Sequence, residues 1–461
     1  MGSGSIFAAV WRQTKRPLPT AVCPRSMTTA QQLDTHEKAL AINLDRTIVG
    51  SFAEIGAGQE VARWFLSVGA ASGTVAKTIS AYHKAVSDDL YGAGSRYVSK
   101  PRLEAMLDRE WEHLLNHLQP SSADTRFFSF ANTVAARNFE GTNECHGWMG
   151  IRFQLQPYGA AQDVLLHVNL IDQTNLLQQQ ALGIAGVNLI HAVFHSLQCQ
   201  EDLLDALLDQ AGRQRIEIDF IEARGPAFES WHRNDLTLGL VRQSLAQAVV
   251  FAPGRLQMPP TEVFRKKPVV LVLASDGAEP TRREILATAV LRLRQESDPA
   301  AREPLGLFVS SPGLDGQPDH STPLLSRVDA LLDLGAEVAV FSHGELYRIA
   351  SFVNRYTHAP VRFVVGVSSV IQLFSEARGT LEGRLLEALS KLFAQNVRAY
   401  VYPMTAPAVR EALSSALLDG WHWKPTDDEV SVEALQAPTP LSHLLSYLLA
   451  TNFIVPMRLI S

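Results

Sequence analysis

The pattern of apolar and polar residues divides the first half of the chain into a helical part and a part rich in strands. Over residues 36–118 the pattern predicts mostly helix, most clearly in Pro101–Leu118, where apolar side chains recur every three or four residues. Beyond residue 120, β-branched and aromatic runs predict strands, two of them joined as a hairpin by the turn at 157–159. The elements predicted there are the strands Arg126–Ala131, Trp148–Leu155, Val164–Ile171 and Ile216–Ile221 and the helices Gln173–Gln198 and Leu236–Phe251.

From about residue 268 onwards, short apolar runs alternate with amphipathic segments. The predicted strands are Val269–Leu273, Leu305–Val309, Glu337–Phe341, Val361–Val365 and Val397–Tyr402. The predicted helices are Thr281–Arg294, Leu324–Leu334, Leu346–Tyr356 and Leu381–Phe393. Such alternation is typical of a parallel sheet covered by helices on both faces. The sequence therefore predicts an α/β protein, with an N-terminal α+β domain followed by a C-terminal doubly wound parallel-sheet domain.

The length of 461 residues exceeds what one hydrophobic core usually serves, so two domains are expected. We predict a tail over residues 1–35, an N-terminal domain over 36–255 and a C-terminal domain over 268–461. Between the domains, residues 256–267 contain Pro259-Pro260 and three basic residues, which indicates a linker. The segment 310–323, rich in Pro, Gly and Asp, is predicted to be a loop.

Composition narrows the class of partners and the compartment. The net charge of −6 gives the whole chain no electrostatic attraction for nucleic acid, and no apolar run is long enough to cross a membrane. Three cysteines without a CxxC pair fit a reducing compartment, so a cytoplasmic location is expected. The first 33 residues are basic and free of acidic residues, as in transit peptides, and the alternative location is the mitochondrial matrix. Two alternatives to a transit peptide stay open for this segment, an added linker and an extension upstream of a start at Met27.

The most suggestive segment for ligand binding is residues 52–60, FAEIGAGQE. It is similar to the Glu-Ile-Gly-x-Gly turn of proteins that bind S-adenosylmethionine, where glycines allow the backbone to approach a ligand. The preceding strand could only be Thr47–Phe52, and Gly50 and Ser51 interrupt it. The alternative is a structural glycine turn that opens a helix over Glu60–Ser67. The candidate ligand-binding residues are Glu54, Gly56, Gly58 and Glu60, although the charge of Glu60 would repel a phosphate.

A second candidate is residues 69–78, where small residues precede a lysine and a threonine. Free N–H groups at a helix start beside an ammonium group would attract an anion, which makes Thr74, Lys77 and Thr78 candidate phosphate ligands. The segment is not a Walker loop, because three residues separate Gly73 from Lys77. The alternative is that Ser72 or Thr74 caps a helix running through residues 79–82.

The densest set of reactive side chains lies in residues 136–148, between two predicted strands. Arg137 would bind phosphate, His146 would shuttle a proton, and Glu140 and Glu144 would hold a cation such as Mg²⁺. We take His146 and Glu144 as candidate catalytic residues and Glu140 as a metal ligand. The candidate ligand-binding residues here are Arg137, Asn138 and Asn143. The alternative is a polar connection between strands that satisfies its own backbone.

Three long motifs carry a resemblance to a known family. They are FAEIGAGQEVAR at 52–63, GTVAKTISAY at 73–82 and ARNFEGTNECHGWMGIRF at 136–153. The chain resembles an uncharacterised bacterial protein family whose members carry conflicting labels, nicotinate-nucleotide adenylyltransferase and TonB-dependent receptor. The first label would imply a His-x-Gly-His nucleotide motif, to which residues 146–148 are the nearest approach. The resemblance implies two-domain integrity and an intracellular location, and it assigns no catalytic residue.

Together these segments predict a protein that binds a nucleotide or another phosphorylated metabolite. If it is an enzyme, the predicted class is a transferase. We expect Lys77, Arg137, Glu140, Glu144 and His146 to face one pocket on the N-terminal domain. The main alternative is a non-catalytic scaffold or a subunit of a larger assembly, either a homo-oligomer or a hetero-oligomer. The weaker alternative is S-adenosylmethionine binding at Gly56 and Gly58.

Overall fold

The computed structural model describes residues 33–119, 123–254, 256–273, 279–298, 300–311, 324–376, 384–413, 415–423 and 429–458. Most of the predicted tail (residues 1–32) and of the predicted loop at 310–323 lies outside the described residues. The helices and strands of the first half are α1 (Thr35–Leu44), β1 (Ile48–Ile55), α2 (Glu60–Ser67), β2 (Val75–Ile79), α3 (Lys84–Tyr91), α4 (Lys100–Leu118), β3 (Arg126–Ala135), β4 (His146–Gln154), β5 (Ala161–Leu170), α5 (Asn175–His195), α6 (Gln200–Leu207), β6 (Ile216–Arg224) and α7 (Arg233–Arg242).

The first half forms a six-stranded mixed sheet with the order β2-β1-β3-β4-β5-β6. Strand β1 pairs in parallel with β2 and β3, and the strands from β3 to β6 pair antiparallel. Helix α4 packs on one face of this sheet, where Leu103, Leu107 and Trp148 share a small apolar cluster. The other face is covered by α1, α2 and α5, whose apolar residues belong to the main core.

The second half adds an eight-stranded sheet and small two-stranded sheets. Its elements are β7 (Ala248–Ala252), β8 (Leu256–Met258), α8 (Pro260–Phe264), β9 (Val269–Leu273), α9 (Glu279–Glu296), β10 (Leu305–Ser310), α10 (Leu324–Leu332), β11 (Glu337–Phe341), α11 (Leu346–Val353), β12 (Val361–Gly366), α12 (Val367–Glu376), α13 (Arg384–Leu392), β13 (Val397–Tyr402), β14 (Met404–Thr405), α14 (Ala406–Ala412), α15 (Ser415–Leu418), β15 (His422–Trp423), β16 (Glu429–Val430), β17 (Leu435–Gln436), α16 (Leu441–Ala450) and β18 (Ile454–Pro456). The large sheet has the order β18-β13-β12-β9-β10-β11-β7-β8.

The predicted fold class is confirmed, a mixed α/β architecture with a doubly wound parallel sheet in the second half. From β9 the chain adds β10 and β11 on one side and then β12 and β13 on the other, all in parallel. Each of these strands is nearly all buried, because helices cover both faces of the sheet. That burial explains why short continuous apolar runs located all five strands correctly.

The expectation of mostly helix over residues 36–118 is wrong at β1 and β2. Strand β1 continues through Gly50 and Ser51, the two residues that were expected to interrupt it, although its pairing with β2 shifts register between them. A Cβ atom at Gly50 would lie 2.3 Å from the ring of Phe128 on the neighbouring strand, so only glycine fits there. Segment 75–79 is strand β2, and the alternative of a helix capped by Ser72 or Thr74 is therefore wrong as well.

The helix predicted over Leu236–Phe251 is wrong in its second half. Helix α7 ends at Arg242, and residues 248–252 form β7, which pairs antiparallel with β11 of the large sheet. An apolar run can be read as a helix or as a buried strand, and here pairing with β11 decides in favour of the strand.

The predicted linker at 256–267 contains β8 and α8. The large sheet begins at β7, before this segment, and residues Leu33–Ser461 cluster as one compact unit. Side chains of both sheets also belong to one continuous core. The division into domains at 256–267 stays a prediction.

Candidate functional site

The order β2-β1-β3 places two of the predicted segments at one edge of the first sheet. The chain leaves β1 towards β2 on one side and reaches β3 on the other side. In parallel sheets a crevice forms where connections depart in opposite directions, outside the carboxyl ends of the strands. The turn at 56–59 follows β1, and the loop at 136–145 follows β3, so both lie at this carboxyl edge.

Glu54 is the buried carboxylate beneath this edge. Its oxygens accept hydrogen bonds from the backbone N–H groups of Val61 and Ala62 at 3.2 and 2.9 Å, and from Nδ2 of Asn132 at 2.9 Å. Burial raises the pKa of Glu54 to about 7, although these hydrogen bonds act in the opposite direction. Glu54 thereby ties the start of α2 to strands β1 and β3.

The glycines of the predicted turn have the backbone conformation that glycine favours. Gly56 has φ +100° and Gly58 has φ +74°. A Cβ atom at Gly56 would lie 1.8 Å from the carbonyl oxygen of Val134, the penultimate residue of β3. The turn therefore lies against β3, and the glycine at 56 is required for this close approach.

Several backbone donors remain free at the turn. Among the described residues, no hydrogen bond engages the N–H groups of Gly58, Gln59 or Glu60. The Glu60 carboxylate forms an ion pair with Arg63, with 2.8 Å between Oε2 and a guanidinium nitrogen. Nε2 of Gln59 donates to the hydroxyl of Thr78 at 3.2 Å, which joins β2 to the same turn.

Arg137, on the loop after β3, is linked through its backbone to α5, the helix that borders this turn. Its backbone N–H donates to Oε1 of Gln178 at 3.0 Å, and the neighbouring Gln179 lies beside Gly58. Its guanidinium group donates to Oε1 of Gln173 at 3.4 Å. Within the described part of the chain, Arg137 has no carboxylate partner. It is therefore a cation whose charge is not neutralised by a neighbouring side chain.

The rest of the loop supports itself, as the alternative interpretation expected. Oδ1 of Asn143 accepts from the N–H of Asn138 at 2.8 Å, and Oδ1 of Asn138 accepts from the N–H of Thr142 at 2.9 Å. Glu140 and Glu144 are exposed. In the segments that the structure describes, no three His, Cys, Asp or Glu side chains converge as a metal site would require. Asn138 and Asn143 thus shape the loop that carries Arg137.

Lys77 does not join this edge. Its ammonium group lies 2.5 Å from Oε2 of Glu110 on α4, and Glu110 also accepts a hydrogen bond from Tyr91. Thr74 is buried, and its hydroxyl has no hydrogen-bond partner among the described residues. Of the second predicted segment, only Thr78 reaches the turn after β1.

The expectation that Lys77 and His146 share one pocket is therefore wrong. Both residues lie on the sheet face that α4 covers, but Lys77 stands three strands from β4, level with Arg152. His146 is six residues further along β4. With about 4.8 Å between strands and 3.3 Å per residue, the separation is roughly 25 Å. Lys77 forms an ion pair with Glu110, whereas His146 is hydrogen-bonded to His167.

His146 begins a chain of buried hydrogen bonds across three strands. Its Nδ1 lies 2.9 Å from Nε2 of His167 on β5, and Nδ1 of His167 lies 2.6 Å from Oδ1 of Asp219 on β6. Nδ2 of Asn169 donates to the other oxygen of Asp219 at 2.7 Å. The exposed fractions of His146, His167 and Asp219 are 9%, 1% and 0%. Burial, followed by the charge of His167, lowers the pKa of His146 to about 4.

Asp219 reaches His167 because β6 contains a bulge. In the pairing of β5 with β6, His167 lies opposite Phe220 and Val168 lies opposite Ile218, so Asp219 is an extra residue. Bulges redirect side chains and are common beside functional sites. The sequence predicted the strand but showed no signal for the bulge, and it therefore missed both Asp219 and His167.

A further buried carboxylate, Glu217, lies two residues before Asp219. Its Oε1 accepts from the N–H of Gln247 at 2.6 Å, its Oε2 has no hydrogen-bond partner among the described residues, and Arg355 approaches to 3.9 Å. Burial raises the pKa of Glu217 to about 7. Burial and the charges of Asp219 and Glu217 also raise the pKa of Tyr356.

Replacing Glu217 by glutamine changes the free energy of unfolding by different amounts at different pH. The variant is expected to gain up to about 3 kcal/mol over the unmodified protein at pH 8, measured relative to the difference between the two proteins at pH 4. The folded-state pKa of about 7 exceeds the ordinary value of 4.5, so the folded state holds a proton that the unfolded state releases. Stability from this group is therefore complete below pH 4.5 and is lost as the pH rises through 7. Urea unfolding of both proteins at pH 4, 6 and 8 measures the difference, and a pH-independent difference would contradict the assignment.

A cavity of about 600 Å³ opens on the outer side of β6. Its walls include Phe220, Phe228, Trp231 and the Lys100–Glu222 ion pair. None of the candidate catalytic, ligand-binding or metal-binding residues proposed from the sequence lines it. Gln257 lines it and donates from Nε2 to the backbone carbonyl of Asp219 at 3.2 Å. The cavity thus lies behind the strand that carries Asp219.

Comparisons with known proteins add little to this geometry. No family model and no curated protein matches the chain. Among solved structures, it is similar to the competence/damage inducible protein CihA of Agrobacterium tumefaciens, with 17% identity, a TM-score of 0.27, and coverage of 36% of this chain and 99% of that one. A CinA superfamily protein of Enterobacter cloacae has 10% identity, a TM-score of 0.27, and coverage of 36% and 96%.

No helix in the described segments is both long and apolar enough to span a bilayer.

Proposed function

We propose that this chain binds a nucleotide or another phosphorylated metabolite at the carboxyl edge of β1 and β3. The observation that carries the proposal is a set of backbone donors without acceptors, next to a loop that carries an arginine without a carboxylate partner. Within the described residues, the N–H groups of Gly58, Gln59 and Glu60 have no acceptor, and the guanidinium group of Arg137 has only the amide oxygen of Gln173 at 3.4 Å. Backbone N–H groups at a helix start and a fork of guanidinium donors are the groups that phosphate oxygens accept from.

Two features of the turn favour a bound anion over a purely structural glycine turn. Glu54 already satisfies the N–H groups of Val61 and Ala62 in the first turn of α2. The donors that remain belong to Gly58 and Gln59, which precede α2, and to Glu60, its first residue, and none of them has an acceptor within the described residues. The Glu60 carboxylate, which would repel a phosphate, is held by Arg63. Binding of S-adenosylmethionine at Gly56 and Gly58 is the less favoured alternative, because that ligand carries no phosphate for Arg137.

If the protein is an enzyme, we propose that it is a transferase acting on the ligand bound at this edge. Mg²⁺ held by the phosphate together with Glu140 would neutralise the bound charge, and Glu144 and His146 would supply acid–base groups at the same edge. Without such chemistry the same edge would serve a binding subunit. A scaffold without a ligand is the competing function.

Replacing Arg137 by alanine is expected to weaken binding of ATP or pyrophosphate by about 1–3 kcal/mol, or roughly 5- to 150-fold, the range for charge-assisted hydrogen bonds. Isothermal titration with and without Mg²⁺ measures the affinity, and Glu140→Gln should reduce only the contribution of Mg²⁺. Arg46→Ala is the matched control, because Arg46 is exposed at the opposite end of β1.

Lys77→Ala should leave the affinity unchanged and lower only stability, since Glu110 holds Lys77 away from the edge. Absence of binding to the unmodified protein, or equal affinities for Arg137→Ala and Arg46→Ala, would reject the phosphate site and favour the scaffold.

A further inference from the structure

We propose that His146, His167 and Asp219 form a proton relay whose outer end, Nε2 of His146, acts as a general base. The chain of hydrogen bonds and the direction in which they run support this role. Only the class of substrate, a phosphorylated molecule with an acceptor hydroxyl or amine, rests on the proposed function.

The hydrogen-bond partners fix the positions of the protons. Asp219 in its carboxylate form only accepts, and it receives Nδ2 of Asn169 on one oxygen and Nδ1 of His167 on the other. His167 therefore carries its proton on Nδ1 and offers a lone pair at Nε2. That lone pair accepts the Nδ1–H of His146. His146 is then left with a lone pair on Nε2, the atom at the open end of the relay.

The open end distinguishes this chain from a network that serves structure alone. A structural network satisfies all of its members, because a buried polar group without a partner is costly. Nε2 of His146 makes no hydrogen bond within the described residues, yet it is not one of the buried atoms that lack a partner. It therefore retains contact with solvent, whereas His167 and Asp219 are enclosed.

The walls of the relay hold the rings in place. Trp148 contacts the edge of His167 with 5.0 Å between ring centroids and contacts Phe220 at the same distance. The bulge at Asp219 directs its carboxylate to the relay. Gln257 donates to the carbonyl of Asp219 and holds that part of the bulge. Trp148 thus holds the ring of His167 in place, and Gln257 holds the backbone of Asp219.

Proton transfer along the relay conserves charge at each step. The substrate X–H proton passes to Nε2 of His146, and the Nδ1 proton of His146 passes to Nε2 of His167. The substrate gains one negative charge, and His167 becomes an imidazolium ion that still donates to Asp219. The lowered pKa of His146 fits this movement, because its ring does not retain the proton. The positive charge comes to rest 2.6 Å from the carboxylate.

Two arginines act on His146 by their positive charge. Arg96, which precedes α4, and Arg265, which follows α8, act on His146 and lower its pKa. Both are exposed, and Arg96 forms a long ion pair with Glu262 at 3.7 Å. Asp219, at the other end of the relay, is fully buried.

The first test measures the ring protons of the unmodified full chain, with no ligand. Long-range ¹H–¹⁵N spectra should show His146 and His167 both protonated at Nδ1 and unprotonated at Nε2 at pH 7.5. The spectra of His146→Gln and His167→Gln assign the two signals. A proton on Nε2 of His146 would overturn the relay.

The second test uses diethyl pyrocarbonate, which acylates an unprotonated imidazole nitrogen. Asparagine at 219 would place an amide N–H₂ against His167 and reverse its tautomer, and with it that of His146. Asp219→Asn should therefore slow modification of His146 at least about tenfold, while exposed His36 reacts as before. Asp163→Asn is the matched control, because Asp163 forms an ion pair with Arg152 on the same sheet.

Equal rates at His146 in the unmodified protein and Asp219→Asn, or no reaction at His146 in either, would reject the relay. These outcomes are independent of phosphate binding. If ATP fails to bind but both protons lie on Nδ1 and Asp219→Asn slows the reaction, the relay holds and the proposed function fails. If Arg137 governs ATP affinity but the protons lie on Nε2, the proposed function holds without the relay.

Discussion

Replacing Glu54 by alanine is expected to lower the free energy of unfolding by about 3–5 kcal/mol, because it leaves three buried donors without an acceptor. These donors are the N–H groups of Val61 and Ala62 and the side-chain amide of Asn132. No other oxygen in the described residues is bonded to them, and the fully buried site admits no easy replacement by solvent.

Urea unfolding followed by circular dichroism measures this loss. Glu54→Gln is the matched control, since glutamine keeps the shape and one acceptor oxygen but turns an N–H₂ group towards a donor. It should cost less than alanine. A loss below about 1 kcal/mol for Glu54→Ala would mean that the start of α2 does not depend on this carboxylate.

Replacing Gly56 by alanine is expected to cost about 3–5 kcal/mol, from overpacking and from a strained backbone together. The new Cβ atom would lie 1.8 Å from the carbonyl oxygen of Val134, and φ at this position is +100°. A backbone oxygen inside a sheet cannot move aside as the end of a side chain can. The turn after β1 would have to shift away from β3, so binding of ATP should be lost as well.

Gly69→Ala separates the two causes. Gly69 has nearly the same φ of +92°, but a Cβ atom there would meet no atom within 4 Å. Its replacement should therefore cost only the backbone strain, about 1 kcal/mol. Thermal and urea unfolding of the two variants give the comparison, and equal losses would show that contact with Val134 does not hold the turn in place.

The candidate site combines elements that local sequence and tertiary structure determine to different degrees. Arg137 and the glycines at 56 and 58 stand out in the sequence, because a glycine-rich turn and a polar loop between strands are local signals. Their placement at one edge depends on the order β2-β1-β3, in which β1 lies between strands that are distant in sequence. No local pattern contains that order.

The sequence by itself determined the elements whose pattern of buried side chains is visible within one short segment. The five parallel strands from β9 to β13 appear as short apolar runs because both of their faces are covered, and α4 appears through its one apolar face. Strand β1 does not show in the same way because Gly50 and Ser51 look like interruptions, and only the ring of Phe128 on another strand explains the glycine.

Only the tertiary structure decided which charged and polar groups become partners. Lys77 pairs with Glu110 and His146 with His167, over 33 and 21 positions of sequence, and the bulge adds Asp219 from a third strand. The physical reason is that hydrogen bonds and ion pairs act over about 3–4 Å, so partners are set by strand register and helix packing. The residue type shows which chemistry a histidine or a lysine can perform, whereas the fold determines which group becomes its partner.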